Sequence, residues 1–272
     1  MKKTHKLSNE QKQEIIFKYN TKKYTCTDLA NEYLVTKSSI CRLLKNNKII
    51  VNNNQSQLQR KYKLNEQYFD RIDSEDKAYF LGLLYADGCN FPKNRVVVIN
   101  LQEKDKDILD KFKQKLNYEK PLIYVDYSKS HPNWQNQYKL HLNSKHMSNR
   151  LIELGCIPEK SLILKFPSSN QVPNNLLQHF IRGYFDGDGC IYISKDNIIT
   201  CSFCSTKDFC LDLQLFLKQI NINSSLNCVK NNNITKTISI SGNLQNKRFL
   251  NWLYKDSTIY LDRKYQKYLS IN

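Results

Sequence analysis

Five of the seven glycines in this 272-residue sequence stand in two short stretches, Phe80–Cys89 (FLGLLYADGC) and Ile181–Cys190 (IRGYFDGDGC). Shifted by 101 positions, Gly82, Asp87, Gly88 and Cys89 fall on Gly183, Asp188, Gly189 and Cys190. A mid-helix glycine costs about 1 kcal/mol against alanine, and close approach of two helices supplies a reason for Gly82 and Gly183. Helices packed that tightly would bring their C-terminal ends together and set Asp87 beside Asp188. Two such carboxylates repel each other and face the negative ends of two helix dipoles, so the arrangement calls for divalent cations between them. All-oxygen ligands favour Mg²⁺. A metal there could polarise a phosphate, activate water and stabilise a departing 3′ oxygen. One Asp-Gly alone is an ordinary helix-ending turn; the matched pair carries the chemistry.

The elements that must position this pair repeat as well. Each stretch is a helix ending at Asp-Gly, followed by strands around 95–101 in the first copy and 190–194 and 198–203 in the second. Helices over 104–116 and 206–219 come next, then strands over 121–128 and 137–143, and over 224–230 and 235–241. Helices Ser144–Leu154 and Asn243–Lys255 close the copies. Lys106-Asp107 falls on Lys207-Asp208 under the same shift. The pattern predicts an α+β fold of two similar halves, 64–170 and 171–272. Alternation in Arg95, Val97, Ile99 and Leu101, and in Thr235, Thr237, Ser239 and Ser241, suits sheets with one face on helices and one polar face.

Ahead of them, residues 1–50 read as three short helices: a capping box at Ser8–Gln11, a second helix from Thr27, and a third after Thr36. Asp28–Leu44 resembles a helix-turn-helix, with Lys37, Ser38 and Arg42 outward as candidate DNA contacts. The turn of that motif commonly holds glycine, whereas this chain offers Leu34, which resists positive φ. Residues 51–63 are Asn/Gln-rich and basic, a linker in which Arg60 and Lys61 could touch phosphates.

Composition narrows the partner. There are 42 Lys and Arg against 25 Asp and Glu, a net charge of +17, which points to a polyanion and first to nucleic acid. Nine cysteines form no evident framework. Cys201 and Cys204 sit i, i+3 in a strand-like stretch and point to opposite faces, so they cannot easily grip one metal. Mean hydropathy is −0.62, and no apolar run is long enough to span a membrane. The N-terminus lacks the apolar core of an export signal, so a soluble, intracellular protein is expected.

The two stretches resemble the LAGLIDADG motif, and with their flanks they resemble the LAGLIDADG homing endonucleases across residues 64–272. Phe69–Tyr79 looks like the lead-in of that family; Leu154-Gly155 with Glu159-Lys160-Ser161, and Ile259–Tyr265, look like its half-domain ends. The resemblance implies αββαββα halves whose eight strands form a saddle over duplex DNA, with Arg95 among the candidate DNA contacts. It implies that Asp87 and Asp188 are the catalytic metal ligands, helped by adjoining main-chain carbonyls, with Mg²⁺ the expected cofactor. Asp186, matched by Tyr85, is not assigned. Lys160 and Lys264 occupy the places of lysines that assist around the scissile phosphates; Arg263 is an alternative to the second, and Gln102 a further candidate. The implied activity is a site-specific, metal-dependent double-strand break made by a monomer. An intron maturase binding intron RNA, or a non-catalytic DNA-binding regulator, are the alternatives on the same fold.

Overall fold

The structure, a computed structural model, describes residues 7–21, 23–49, 51, 62–229 and 232–271. The chain divides into two compact units, Met1–Lys63 and Leu64–Asn272.

The first unit holds helices α1 (Asn9–Asn20), α2 (Cys26–Glu32) and α3 (Lys37–Asn46). Each starts where a side chain can satisfy a free amide. Ser8 Oγ accepts from Gln11 N at 3.2 Å while Gln11 Oε1 accepts from Ser8 N at 2.9 Å. Thr25 and Asp28 form a second capping box, and Thr36 Oγ1 accepts from Ser39 N. Ile15, Tyr19, Leu29, Ala30, Ile40 and Leu44 close a small core. The turn between α2 and α3 is made despite its residue: Leu34 adopts φ 54° and is 78% exposed. A side chain in that region costs about 1–2 kcal/mol, which the packing of both helices must offset. Lys37, Ser38 and Arg42 are exposed on α3. Arg60 and Lys61 lie outside the described residues.

The second unit is the expected duplication. Its first half runs α4 (Glu75–Asp87), β1 (Gly88–Phe91), β2 (Val96–Gln102), α5 (Lys106–Lys115), β3 (Ile123–Val125), β4 (Gln137–Asn143) and α6 (Lys145–Glu153). Its second runs α7 (Leu177–Asp188), β5 (Gly189–Ile193), β6 (Ile199–Thr206), α8 (Lys207–Gln219), β7 (Ser225–Val229), β8 (Asn232–Ile240) and α9 (Asn243–Tyr254). Each half carries an antiparallel four-stranded sheet, ordered β1-β2-β4-β3 and β5-β6-β8-β7. Val97, Ile99 and Leu101 on β2, and Ile238 and Ile240 on β8, face the helices and are buried, as alternation requires. Much of the aromatic content is spent in the half-domain cores: Phe80 stacks on Phe112 at 4.1 Å, and Phe185, Phe203 and Phe249 cluster in the second. No described helix is long and apolar enough to cross a membrane.

Four details differ from the sequence reading. Strand β1, which αββαββα halves require, has no local signal, since Gly-Cys-Asn-Phe is too short a run. Strand β3 is shorter than the 121–128 expected. Arg95 is not a strand residue: it sits exposed in the β1–β2 turn at φ 57°. A further helix, α10 (Asp262–Ile271), follows the second half.

Candidate active site at the ends of the paired helices

Helices α4 and α7 touch backbone to backbone. A Cβ built on Gly82 would lie 2.0 Å from Phe180 O, and one on Gly183 would lie 1.9 Å from Tyr79 O. The two glycines therefore do what their mid-helix cost suggests: only hydrogen fits between the main chains. Further along, a Cβ on Gly187 would meet Ala86 Cβ at 2.3 Å and Asp87 Oδ2 at 2.7 Å. The helix ends are thus pressed together at the Asp-Gly turns, which brings the neighbourhoods of Asp87 and Asp188 into one place.

The electrostatics agree. The Asp87 carboxyl is pushed up to about 6, first by partial loss of hydration and then by the charge of Asp188, against the pull of Lys264, Lys160 and Arg263. Asp188 is also raised, by desolvation, with Lys160, the Tyr184 hydroxyl and Lys264 acting the other way. Asp87 is half-buried and Asp188 open to solvent, so protein crowds both groups while leaving an approach for a ligand. Tyr184, whose hydroxyl donates to Cys204 O at 3.1 Å, is a neighbour of the site that its motif position did not signal.

Lys160 and Lys264 are not solvated surface lysines. Both are buried, and they take matching positions in the two halves. The Lys160 ammonium donates to Gly88 O and, at 3.3 Å, to Ala86 O. The Lys264 ammonium donates to Phe185 O and, at 2.5 Å, to Gly189 O. Each places a cation on the unsatisfied carbonyls at a helix C-terminus, the sign a helix dipole favours there. Burial pulls the Lys264 amine down to about 8, against the attraction of Asp186, Asp87 and Asp188. Arg263 instead pairs with Asp105 at 3.1 Å. Gln102 ends β2, and its Oε1 has no partner among the described residues. Arg95 is exposed outside this cluster, and Lys37, Ser38 and Arg42 are exposed on the first unit.

The motif of the second half hides two charges. Arg182, on the residue matched by Leu81, is fully buried; it donates to Ile259 O and Leu253 O at 2.9 Å each and pairs with Glu75 at 2.6 Å. Asp186, matched by Tyr85, is fully buried too. It accepts from Tyr79 Oη at 2.7 Å, Tyr254 Oη at 2.6 Å and Leu261 N at 2.7 Å. With its oxygens so engaged, Asp186 anchors the segment that leads to Lys264.

Among the described residues no group of three or more His, Cys, Asp and Glu side chains gathers to hold a metal ion. Two carboxylates beside main-chain carbonyls are nonetheless a donor set that suits Mg²⁺, which keeps several waters and takes only one or two protein carboxylates. The charge of Asp188 helps to raise the Asp87 carboxyl, and a cation beside the pair would act against that rise.

Residues 175–253 match the family model of the LAGLIDADG-like domain. The homing endonuclease I-WcaI, solved bound to its DNA recognition sequence, superposes with a TM-score of 0.53 at 13% identity, covering 74% of this chain and 90% of that one. The I-LtrWI LAGLIDADG homing endonuclease, solved bound to target DNA, gives 0.50 at 11%, covering 76% and 90%. At such identities the likeness is one of fold. An uncharacterised protein of Methanocaldococcus jannaschii is 28% identical over 202 residues, 71% of each chain. Residues 175–253 thus carry a LAGLIDADG-like domain, and the whole second unit shares the fold of LAGLIDADG homing endonucleases.

Proposed function

We propose that this protein is a DNA endonuclease that makes a metal-dependent double-strand break in a long duplex site, acting as a monomer. The observation that carries the reading is the pair of mutually repelling carboxylates, Asp87 and Asp188, held at the abutting ends of α4 and α7. Asp87 and Asp188 would hold Mg²⁺, which supplies charge neutralisation and water activation in phosphodiester hydrolysis. The chain's own part is positioning. Gly82 and Gly183 set the helix separation, Gly187 leaves Asp87 the room a Cβ would take, and Lys160 and Lys264 place their own positive charge near the carboxylates, where a phosphate would gain from it. The +17 charge supports a polyanionic substrate, and the relatives solved with DNA share the fold. In this reading the first unit adds affinity through Lys37, Ser38 and Arg42 on α3, Arg60 and Lys61 add phosphate contacts, and Arg95 meets the duplex from the β1–β2 turn.

Asp87→Asn and Asp188→Asn keep size and turn preference but remove charge. Each variant is expected to lose double-strand cleavage by orders of magnitude while retaining target binding in Ca²⁺. Full cleavage by both variants would refute the assignment. Deleting residues 1–60 should weaken binding and flatten its salt dependence without altering cleavage chemistry.

A further inference from the structure

The two sheets of the second unit share a topology, and their outward faces differ in chemistry. Antiparallel register places residues side by side in rows across each sheet. In the first sheet one row is Cys89–Val98–His141, and at the equivalent place in the second stands Cys190–Ser202–Ser239–Ser225. Another row pairs Val96 with Phe91, where the second sheet pairs Thr200 with Tyr192. Nearer the Asp-Gly turns come Asn100–Lys139–Ile123 and Gln102–Gln137–Val125, against Cys204–Thr237–Asn227 in the second sheet. The first face therefore combines β-branched apolar side chains with carboxamides, and the second is mostly hydroxyls.

These groups do different work on a base edge. Apolar side chains pack on the thymine methyl, and Asn or Gln bonds adenine through N6 and N7 in a bidentate pair; Ser and Thr accept either kind of base. The carbonyl oxygens of Asn100 and Gln102 are buried and accept no hydrogen bond among the described residues, so neither amide offers a base edge its acceptor, and the apolar side chains carry the difference between the two faces. Lys139 lies on the same face; burial first, then the charges of Lys120 and Lys139, hold the His141 ring toward the neutral form. Positive charge is thus present where a duplex would lie.

We infer that, given the DNA-cleaving function proposed above, the half-site under the first sheet is rich in A·T pairs and read stringently, through packing of Val96 and Val98 on thymine methyl groups. The half-site under the second sheet is read loosely by hydroxyls.

Selection from a randomised duplex library by the full-length protein in Ca²⁺ tests this. Base preferences should concentrate on one side of the cleavage centre and be A·T-rich there. Replacing thymine by deoxyuridine on that side should weaken binding about fourfold per methyl removed, and on the other side should change nothing. Val98→Ser should relax the preference on the A·T side. Ser202→Val should create a thymine preference on the other, fixing which sheet reads which half. Equal or G·C-rich preferences on the side relaxed by Val98→Ser, or indifference to uracil, overturn the inference while leaving endonuclease activity standing. Enrichment of no sequence at all overturns the DNA reading together with it.

Discussion

One methyl group on Gly183 should separate stability from catalysis. The Cβ of Gly183→Ala would lie 1.9 Å from Tyr79 O and 2.8 Å from Tyr79 C, where atoms do not approach below 3.0 Å. Both contacts are main chain, so no side chain can swing away, and α4 and α7 must part by about 1 Å. Overpacking of this kind costs about 1–3 kcal/mol, offset by about 1 kcal/mol of improved helix propensity. The net loss of up to about 2 kcal/mol corresponds to a melting midpoint lower by up to about 4–8 °C for a unit of this size. The effect on cleavage should be larger, because Asp87 and Asp188 end these same helices and misplacement by about 1 Å costs about 10²-fold in rate. Single-turnover cleavage at saturating protein, well below the melting midpoint, measures it. Gly82→Ala meets Phe180 O at 2.0 Å and should behave alike. The double variant should lose less than the sum, since one separation accommodates both methyls. A Gly183→Ala protein that melts and cuts like the wild type would refute the close-approach argument. One that melts lower but cuts at the wild-type rate would uncouple helix spacing from the site.

Arg182→Leu, which installs the residue found at Leu81, should destabilise the second unit by about 3 kcal/mol in urea unfolding, because Glu75 and two carbonyls lose their donor; adding Glu75→Leu should recover part of it. In chelator-treated protein, Asp87→Asn should be more stable than the wild type by about 1–2 kcal/mol above pH 7, after allowance for solvent screening. The folded carboxyl, near 6, binds its proton more tightly than the unfolded chain, so wild-type stability falls as pH rises from about 4 to about 6; a difference independent of pH would refute this. Leu34→Gly should relieve the strained turn of the first unit by about 1 kcal/mol and slow hydrogen exchange in α2 and α3; unchanged exchange would mean that Leu34 is not strained.

The helix pair and its glycines were legible because a repeated glycine in a helix has few explanations, and two matched copies supply the register for the rest. The caps at Ser8 and Thr36 were legible for a similar reason, since each serves a local amide. What escaped depends on distant partners. Among 42 basic residues, nothing local marks Lys160 and Lys264 as buried; the carbonyls that hold them lie more than seventy residues away in sequence. Nothing local marks Arg182 and Asp186 as buried until Glu75, Tyr79, Tyr254 and Leu261 are folded around them. The shift that sets them against Leu81 and Tyr85 was the available signal of departure from symmetry. Arg95 was misplaced by one residue, because nothing local marks whether a residue before Val96 ends the turn or starts the strand.

The buried contacts of Arg182 and Asp186 also bear on the ancestry of the chain. A duplicated half-domain is at first interchangeable with its copy, and either could pair with itself across a twofold axis. Here Glu75 and Tyr79, from the first half, satisfy Arg182 and Asp186 of the second. In a pair of second halves the residues 101 positions later, Leu176 and Phe180, would stand in their place. That assembly would enclose an arginine with no carboxylate and an aspartate short of a hydroxyl, twice over, at a cost of several kcal/mol for each. A pair of second halves is thereby disfavoured, and the second half depends on the first for the partners of its buried charges.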